Sequence, residues 1–305
     1  MTIKLNQPYS FCQLGSCDNQ EDSRYPNSNC PTDFGPFFIV CDGVGGCADG
    51  EKASMAVAEG LGEALNDFDW TQEFTLQDFQ QALASAYKKL NAAAREGDSD
   101  MATTLTMVCF HAGGCTMAHM GDSRIYQFRP NMGIIYRSED HSLINELVHS
   151  GVVAPEQAMN HPQRNVISRY MAPDTAQEER CQATLFQTKD VEKGDSFFLC
   201  SDGVADVVDD HILESIICGE GSDKDKCKKI AQLSHNSPDN NTAYLVSIAE
   251  VIKDSDDEDE RPEEESGRET KRLKRVVPVA VDVDIAKENG QWGKLVELVK
   301  RILKL

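Results

Sequence analysis

Five short acidic motifs, each beside an apolar run of strand length, constrain this chain more than any other feature of its sequence. Carboxylates at strand ends suit a hard divalent cation, because oxygen ligands must converge from several segments and a following glycine lets the backbone approach closely. A single Asp-Gly pair is most often only a turn. The constraint comes from the ordered set, which is Glu21-Asp22, Asp42-Gly43-Val44-Gly45-Gly46, Gly121-Asp122-Ser123-Arg124, Ser201-Asp202-Gly203 and Asp239-Asn240-Asn241-Thr242.

The charge and hydropathy of the chain argue against two classes of partner. Its formal net charge is -21 at pH 7, so a nucleic acid would be repelled and is not expected as a partner. No run approaches the ~18 apolar residues of a membrane span, so no transmembrane segment is expected. The N-terminus also lacks the apolar core of a signal peptide. The cysteines follow no metal-finger spacing and mostly lie in apolar runs, as buried reduced thiols do. These features predict a cytoplasmic location.

Apolar periodicity predicts a long series of strands with helices on either side. Helical spacing is found at 50–66, 76–94, 209–217 and 224–233. Gly113-Gly114 predicts a hairpin turn between two of the strands. Such a series indicates an α+β sandwich. The predicted strands are 9–14, 37–41, 103–110, 116–119, 125–128, 133–136, 182–187, 196–200 and 243–251.

The ordered motifs resemble those of the metal-dependent Ser/Thr protein phosphatases of type 2C and are most similar to the bacterial branch of that family. The resemblance covers roughly residues 8–251, and its middle stretch, 140–147 and 161–169, is similar to the family's flap segment. It implies an α+β fold with a central antiparallel β-sandwich flanked by helices on both sides. It also implies a phosphatase domain over residues 1–252 with a helical flap at about 140–180.

The chemistry implied by this resemblance is hydrolysis of phosphoserine and phosphothreonine in proteins by a hydroxide that bridges two divalent ions. Two such ions clamp the phosphoryl group and lower the pKa of the bridging water. Oxygen ligands favour Mn²⁺ or Mg²⁺ over zinc. The implied ligands are Glu21 and Asp22, directly or through waters, Asp42, bridging both ions, the Gly43 carbonyl, and Asp202 and Asp239 in the second site.

Asp122 is implied to help hold a third, weaker ion, although it could equally be a hairpin residue that caps its own turn. Its neighbour Ser123 is not expected to be a nucleophile, because the chain has no Gly-x-Ser-x-Gly elbow. His119 is predicted to be a packed strand residue. His141 and His161 are predicted to be flap anchors.

Two positions depart from the family pattern. Cys17 stands where the family usually has a phosphate-binding arginine, and a thiol cannot supply a bidentate fork. Either substrate binding is weak or another cation substitutes, with Arg24, Arg164 and Arg169 as candidates.

Val44 is the second departure and stands where many eukaryotic members have a histidine. Because bacterial members commonly carry an apolar residue there, this departure concerns the subfamily rather than the activity.

Residues after 252 differ in character from the predicted domain. Residues 253–267 form an acidic linker, with nine Asp and Glu residues and one Arg between 254 and 265. Residues 268–305 comprise a basic segment and a predicted C-terminal amphipathic helix. That helix could dock on its own domain, a partner protein, a second copy of the chain or an anionic membrane surface. The alternative function is a catalytically weak binding or scaffold protein that acts through this tail.

Overall fold

A computed structural model describes residues 1–44, 49–94, 101–158, 161–163, 165–173 and 182–253. The strands of this part are β1 Thr2–Leu5, β2 Tyr9–Gln13, β3 Ser23–Tyr25, β4 Phe37–Cys41, β5 Leu105–His111, β6 Gly114–Met120, β7 Arg124–Arg129, β8 Gly133–Arg137, β9 Thr184–Thr188, β10 Ser196–Cys200 and β11 Asn241–Ile252. The helices are α1 Gly50–Asn66, α2 Leu76–Ala93, α3 Leu143–His149, α4 Pro155–Ala158, α5 Asp202–Ala205, α6 Asp210–Ile217 and α7 Asp223–Ser234.

The strands form two antiparallel sheets, which confirms the predicted α+β sandwich. One sheet has the order β1-β11-β10-β7-β8 with β2 also paired to β11, and the other has the order β3-β4-β5-β6-β9. Strand β11 is long enough to pair with β2 through Asn241–Leu245 and with β1 through Ile248–Ile252. Every predicted strand is present within a few residues of its expected limits.

Three apolar clusters show how the two sheets and the helices pack against one another. Phe38, Val40 and Val108 from one sheet meet Phe197 and Tyr244 from the other, so these side chains fill the space between the sheets. Helices α1 and α2 cover the outer face of the five-stranded sheet. Helices α6 and α7 cover the outer face of the six-stranded sheet. Burial of apolar surface in these three layers is the main stabilising term of such a fold.

The segment predicted to be a helical flap contains only two short helices within its described residues. Helix α3 begins at its N-cap Ser142, whose hydroxyl accepts a hydrogen bond from the Asn145 amide. Helix α4 has only 4 residues. A bridge between Ser142 and Ile167 joins the beginning of the segment to its later part. The helical character of the whole flap is therefore not confirmed.

Residues 254–305 lie outside the described part, so the predicted linker and amphipathic helix stay predictions. No helix among the described residues has the length and apolar character needed to cross a bilayer.

Candidate active site

The acidic motifs predicted from the sequence meet at one end of the sandwich. Asp22 lies immediately before β3 and Asp42 immediately after β4, while Asp122 lies in the turn between β6 and β7. Asp202 is the first residue of α5, directly beyond β10, and Asp239 precedes β11. The charge of Asp202 acts on Asp22, Asp42 and Asp122, which shows that carboxylates from both sheets are neighbours.

Burial and mutual repulsion raise the pKa of these carboxyl groups. Burial is the main cause that raises the pKa of Asp22 to about 7, of Asp122 to about 7 and of Asp202 to about 6. The pKa of Asp42 is raised well above its ordinary value, first by burial and then by the charges of Asp22, Asp202 and Asp122. Asp22 is 4% exposed, whereas Asp42, Asp122 and Asp202 keep part of their surface open to solvent.

Three of these carboxylates have an oxygen that is buried and lacks a hydrogen-bond partner, namely Oδ1 of Asp22, Asp122 and Asp202. Buried polar atoms are normally paired, and an unpaired one is costly. Within the described ranges, no group of three or more His, Cys, Asp or Glu side chains forms a ready-made metal cage. The donors nevertheless fit a hard divalent ion by their chemistry, because they are oxygens that are buried, unpaired and mutually repulsive.

Ser201 and Asn240 hold the first acidic motif in place, a role that the sequence analysis did not assign to them. The Ser201 hydroxyl donates to Asp22 Oδ2 at 2.8 Å and accepts from the Thr242 amide at 3.0 Å. The Asn240 side chain accepts from the Glu21 amide at 2.7 Å. Its amide group also donates to the Leu14 and Asn19 carbonyls, each at 2.9 Å. Both residues belong to the recognised motifs, so their positions, though not their partners, were visible in the sequence.

Thr104 connects the Asp42 and Asp122 motifs and was also missed. Its hydroxyl accepts from the Asp42 amide at 2.9 Å and lies 2.8 Å from the Ser123 hydroxyl. Its own amide donates to the Asp42 carbonyl at 2.8 Å. Thr104 and Ser123 are fully buried. Ser123 is thus engaged in the framework of the site, and the expectation that it is not a nucleophile stays a prediction.

Glycines in the motifs allow close backbone packing. A Cβ at Gly203 would lie 2.0 Å from the Asn240 carbonyl oxygen, and one at Gly43 would lie 2.6 Å from the Gly50 backbone. Neither position can hold a side chain without displacing the neighbouring backbone. The glycines that follow Asp42 and Asp202 therefore let these two acidic segments pack closely against the neighbouring backbone. Whether the Gly43 carbonyl also binds an ion stays a prediction.

Comparison with known proteins identifies the family. The profile described as Protein phosphatase 2C matches residues 25–235 of this chain. The chain belongs to the protein phosphatase 2C family.

Two curated bacterial relatives agree with this assignment. The serine/threonine phosphatase stp of Listeria welshimeri is 31% identical over 219 residues, which are 69% of this chain and 84% of that protein. The protein phosphatase PhpP of Streptococcus pneumoniae is 32% identical over 223 residues, or 70% of this chain and 86% of that protein. Both matches support the bacterial branch of the phosphatase 2C family.

A solved structure supports the fold. The catalytic domain of the serine/threonine protein phosphatase PstP, solved in complex with two manganese ions, matches with a TM-score of 0.65 at 24% identity. The match covers 82% of this chain and 100% of that domain. The sandwich with its two helical layers is therefore the phosphatase 2C fold.

Cys17, at the position where the phosphatase 2C family usually has an arginine, does lie beside the acidic cluster. Its Sγ is 3.5 Å from Asp239 Oδ1 and 3.5 Å from the Pro238 carbonyl oxygen. Burial, followed by the charge of Asp239, raises the pKa of the Cys17 thiol. A thiol, whether neutral or ionised, supplies no positive charge for phosphate. Burial, followed by the charges of Glu51 and Asp239, also raises the pKa of Glu21.

The three candidate arginines differ in position. Arg24 is 8% exposed and donates to Asn29 Oδ1 at 2.7 Å, while its Nε and Nη1 are buried without partners. It points between the sheets, which disfavours contact with a protein substrate. Arg169 keeps part of its surface exposed, and its charge acts on His119 and His141. Arg164 lies outside the described residues.

The histidines near the site are engaged in packing. His119 is 2% exposed within β6, as predicted. Its ring stacks on that of His141 with centroids 4.4 Å apart. Burial lowers the pKa of both, and that of His141 falls to about 2. Both rings are therefore neutral at pH 7, which is a poor state for a general acid. His161 is only partly buried, and its role as a flap anchor stays a prediction.

Proposed function

We propose that this chain is a metal-dependent protein-serine/threonine phosphatase that hydrolyses phosphoserine and phosphothreonine in phosphoproteins. Family membership and the two bacterial relatives support this activity. The observation that carries it is the convergence of four aspartates with raised pKa values from both sheets, three of which have a buried unpaired oxygen. The four are Asp22, Asp42, Asp122 and Asp202, and Asp42 is the one without such an oxygen. These relatives do not favour the alternative of a catalytically weak binding or scaffold protein that acts through its C-terminal tail.

The oxygen-only donor set supports Mn²⁺ or Mg²⁺ as the cofactor. Asp42 and Asp202, with Asp239, would hold two ions, and Glu21 and Asp22 would contribute directly or through waters. When bound, such ions neutralise the charge of phosphoryl oxygens and lower the pKa of a water molecule. The two manganese ions of the PstP catalytic domain support the count of two. Asp122 would contribute to a third, weaker site.

The side chains around the ligands keep the acidic segments in place before any ion binds. Ser201 fixes one oxygen of Asp22, which leaves the other oxygen unpaired. Thr104 fixes the backbone on both sides of the Asp42 peptide. Since Asp22 and the Asp42 backbone are held by neutral hydrogen-bonding partners, the negative charge of these two carboxylates remains available to an ion.

The phosphoryl group of the substrate needs a cation from the protein as well. Of the candidates with a described position, Arg169 is partly exposed, and its charge acts on His141, which bonds to Gly121 beside Asp122. Arg24, in contrast, is buried between the sheets. We therefore assign phosphate binding to Arg169, with Arg164 as the remaining candidate. Guanidinium groups form bidentate, charge-assisted bonds with phosphate.

The experiment compares Asp202→Asn with Asp209→Asn, an exposed aspartate that makes no cap hydrogen bond and undergoes the same change of charge. Hydrolysis of p-nitrophenyl phosphate and of a phosphothreonine peptide is measured as Mn²⁺ is increased, and Mn²⁺ binding is measured by calorimetry. Asp202→Asn should lower turnover at least ~100-fold, beyond the ~10–100-fold of outer-sphere changes. Near-normal turnover of Asp202→Asn at saturating Mn²⁺ would show that the ligand assignment is wrong.

The proposal also covers the substrates, the location in the cell and the C-terminal helix. The substrates would be phosphoproteins of a Ser/Thr kinase, and the location would be the cytoplasm. The C-terminal helix would dock on its own domain, on a partner protein or on a second copy of the chain. Its contribution is tested separately from the chemistry, by truncation.

A further inference from the structure

His141 contacts the residue that precedes Asp122 through both its backbone and its side chain. Its amide donates to the Gly121 carbonyl at 2.9 Å. In return, the Gly121 amide donates to His141 Nδ1 at 3.2 Å. The acidic turn between β6 and β7 is thus tied to the first residues of the flap segment by two hydrogen bonds.

The tautomer of His141 follows from these contacts. Because Nδ1 accepts the Gly121 amide proton, the ring proton must be on Nε2. Nε2 lies 2.8 Å from Thr184 Oγ1, so its N–H donates to that hydroxyl on the neighbouring strand β9. One ring therefore spans from β9 to the acidic turn, with each nitrogen in a fixed role.

Packing holds this ring from its face. The His119 ring stacks on it at an interplanar angle of 8°, and His119 Nε2 is held in turn 2.8 Å from the Glu139 carbonyl oxygen. The Ser168 amide donates to the His141 carbonyl at 2.9 Å. His141 is consequently bonded to Ser168 in the later part of the flap segment as well as to the turn, while its stacking partner His119 is bonded to Glu139, just before the segment.

The opposite side of the turn is equally constrained. Gly121 has φ +98, and a Cβ there would lie 2.6 Å from the Thr104 side chain. The turn is therefore held between Thr104 and His141, and the next residue, Asp122, carries a buried oxygen without a partner.

We propose that His141 is a positioning residue that orients the Gly121–Asp122 turn for ion binding and joins it to the flap segment. This inference rests on the proposed function, because it takes Asp122 to contribute to the third, weaker ion site. Both ring nitrogens of His141 are engaged by Gly121 and Thr184, so neither is assigned to an ion or to the substrate. His141 acts by fixing the backbone amide beside Asp122.

Two substitutions of similar size separate the two ring contacts. In His141→Asn the amide oxygen can occupy a place close to Nδ1 and accept from Gly121. In His141→Gln the amide lies near the place of Nε2, so it reaches Thr184 but not Gly121. We expect His141→Gln to weaken the weakest phase of Mn²⁺ binding about 10-fold, the effect typical of losing an outer-sphere partner. His141→Asn should stay within about twofold of wild type by the same reasoning.

The readouts are Mn²⁺ titration by calorimetry, kcat and KM on a phosphopeptide, and the melting temperature without metal. If His141 had a merely structural role, Mn²⁺ binding by each variant would weaken in proportion to the stability that the variant has lost. Equal Mn²⁺ binding in the two variants, whether weakened or normal, would overturn the proposal. A difference in Mn²⁺ binding that exceeds any difference in melting temperature supports it.

Thr184→Val provides a milder test should both His141 variants fail to fold, because Thr184 lies on an edge strand and is only partly buried. It frees Nε2 and allows the other tautomer, so the weakest Mn²⁺ phase should weaken about threefold, less than on full loss of the partner. Unchanged Mn²⁺ binding by Thr184→Val would overturn the proposal.

Asp122→Asn separates the role of His141 from the third ion site on which that role rests. If it weakens Mn²⁺ binding while His141→Gln does not, only the role of His141 is wrong. If Asp122→Asn binds Mn²⁺ normally, the third site and the role of His141 are both wrong.

Discussion

The hydroxyl of Ser201 donates a 2.8 Å hydrogen bond to Oδ2 of Asp22, a residue 179 positions earlier in the chain. This contact joins the two sheets at the end of the sandwich where the acidic motifs meet. It leaves Asp22 with one satisfied and one unpaired oxygen. A carboxylate arranged in this way is fixed in direction and still able to bind an ion.

Ser201→Ala should destabilise the metal-free protein by about 1–3 kcal/mol, the usual cost of leaving a buried polar group without its partner. Both Asp22 Oδ2 and the Thr242 amide would lose a partner. Urea unfolding in the presence of a chelator measures the change. Ser85→Ala on the exposed side of α2 is the control and should be nearly neutral. Equal stability of the two variants would contradict the role assigned to Ser201.

Much of the fold could be predicted because its signals are local. Helix α1 has exactly the limits that its apolar spacing predicts, and the capping box of Thr75 and Asp78 marks the start of α2. Strand β3 was missed because it has only 3 residues and places an arginine between the sheets. Short strands of this kind are specified by their neighbours and not by their own periodicity.

The ligand motifs could also be predicted, whereas their supporting partners could not. An aspartate beside a glycine is visible in a sequence, but the bonds of Thr104 to Asp42 and Ser123 depend on which strands pair. The position of Arg24 illustrates the same limit. The sequence made Arg24 one of three candidates for the phosphate ligand, whereas strand alternation places its side chain between the sheets.

The metal-free protein should lose stability as the pH rises from about 5 to 8. Asp22, Asp122 and Asp202 have folded-state pKa values raised from 3.8 to about 7, 7 and 6. The folded state therefore keeps protons that the unfolded state has already released, so stability falls with pH through this window. Between pH 5.5 and 8, ionisation of these three groups should cost on the order of 5 kcal/mol in total, since one pKa unit corresponds to about 1.4 kcal/mol.

Urea unfolding in chelator at pH 5.5 and 8 measures this loss, and Mn²⁺ should reverse it because the ion binds the ionised carboxylates. Asp202→Asn removes one of the repelling charges, so it should be more stable than wild type at pH 8 without metal. A wild-type protein whose stability is the same at both pH values would argue against the crowding of these carboxylates.

Cys17→Arg should lower KM for a phosphate ester, because it restores a guanidinium beside Asp239. Each well-formed charge-assisted bond contributes about 1.5–3 kcal/mol, which corresponds to about tenfold or more in KM. Cys17→Gln provides length without charge and should leave KM unchanged. An equal KM in all three proteins would indicate that Arg169 or Arg164 already binds the phosphate. Pairing of the new arginine with Asp239 would appear instead as a higher Mn²⁺ requirement.

Removal of residues 254–305 should leave hydrolysis of a small phosphate ester within a few-fold of the full chain. The described sheets end with β11, in which Ile252 pairs with Thr2 of β1, so a cut after Lys253 keeps all of their strands. The removed part carries the acidic segment and the predicted amphipathic helix, whose apolar stripe needs a partner surface. Truncation should therefore change the oligomeric state, the location in the cell or the activity on a protein substrate. Light scattering and paired assays of the truncated and full-length proteins measure these changes. A truncated chain that unfolds or loses small-ester hydrolysis would show that the tail is part of the catalytic fold.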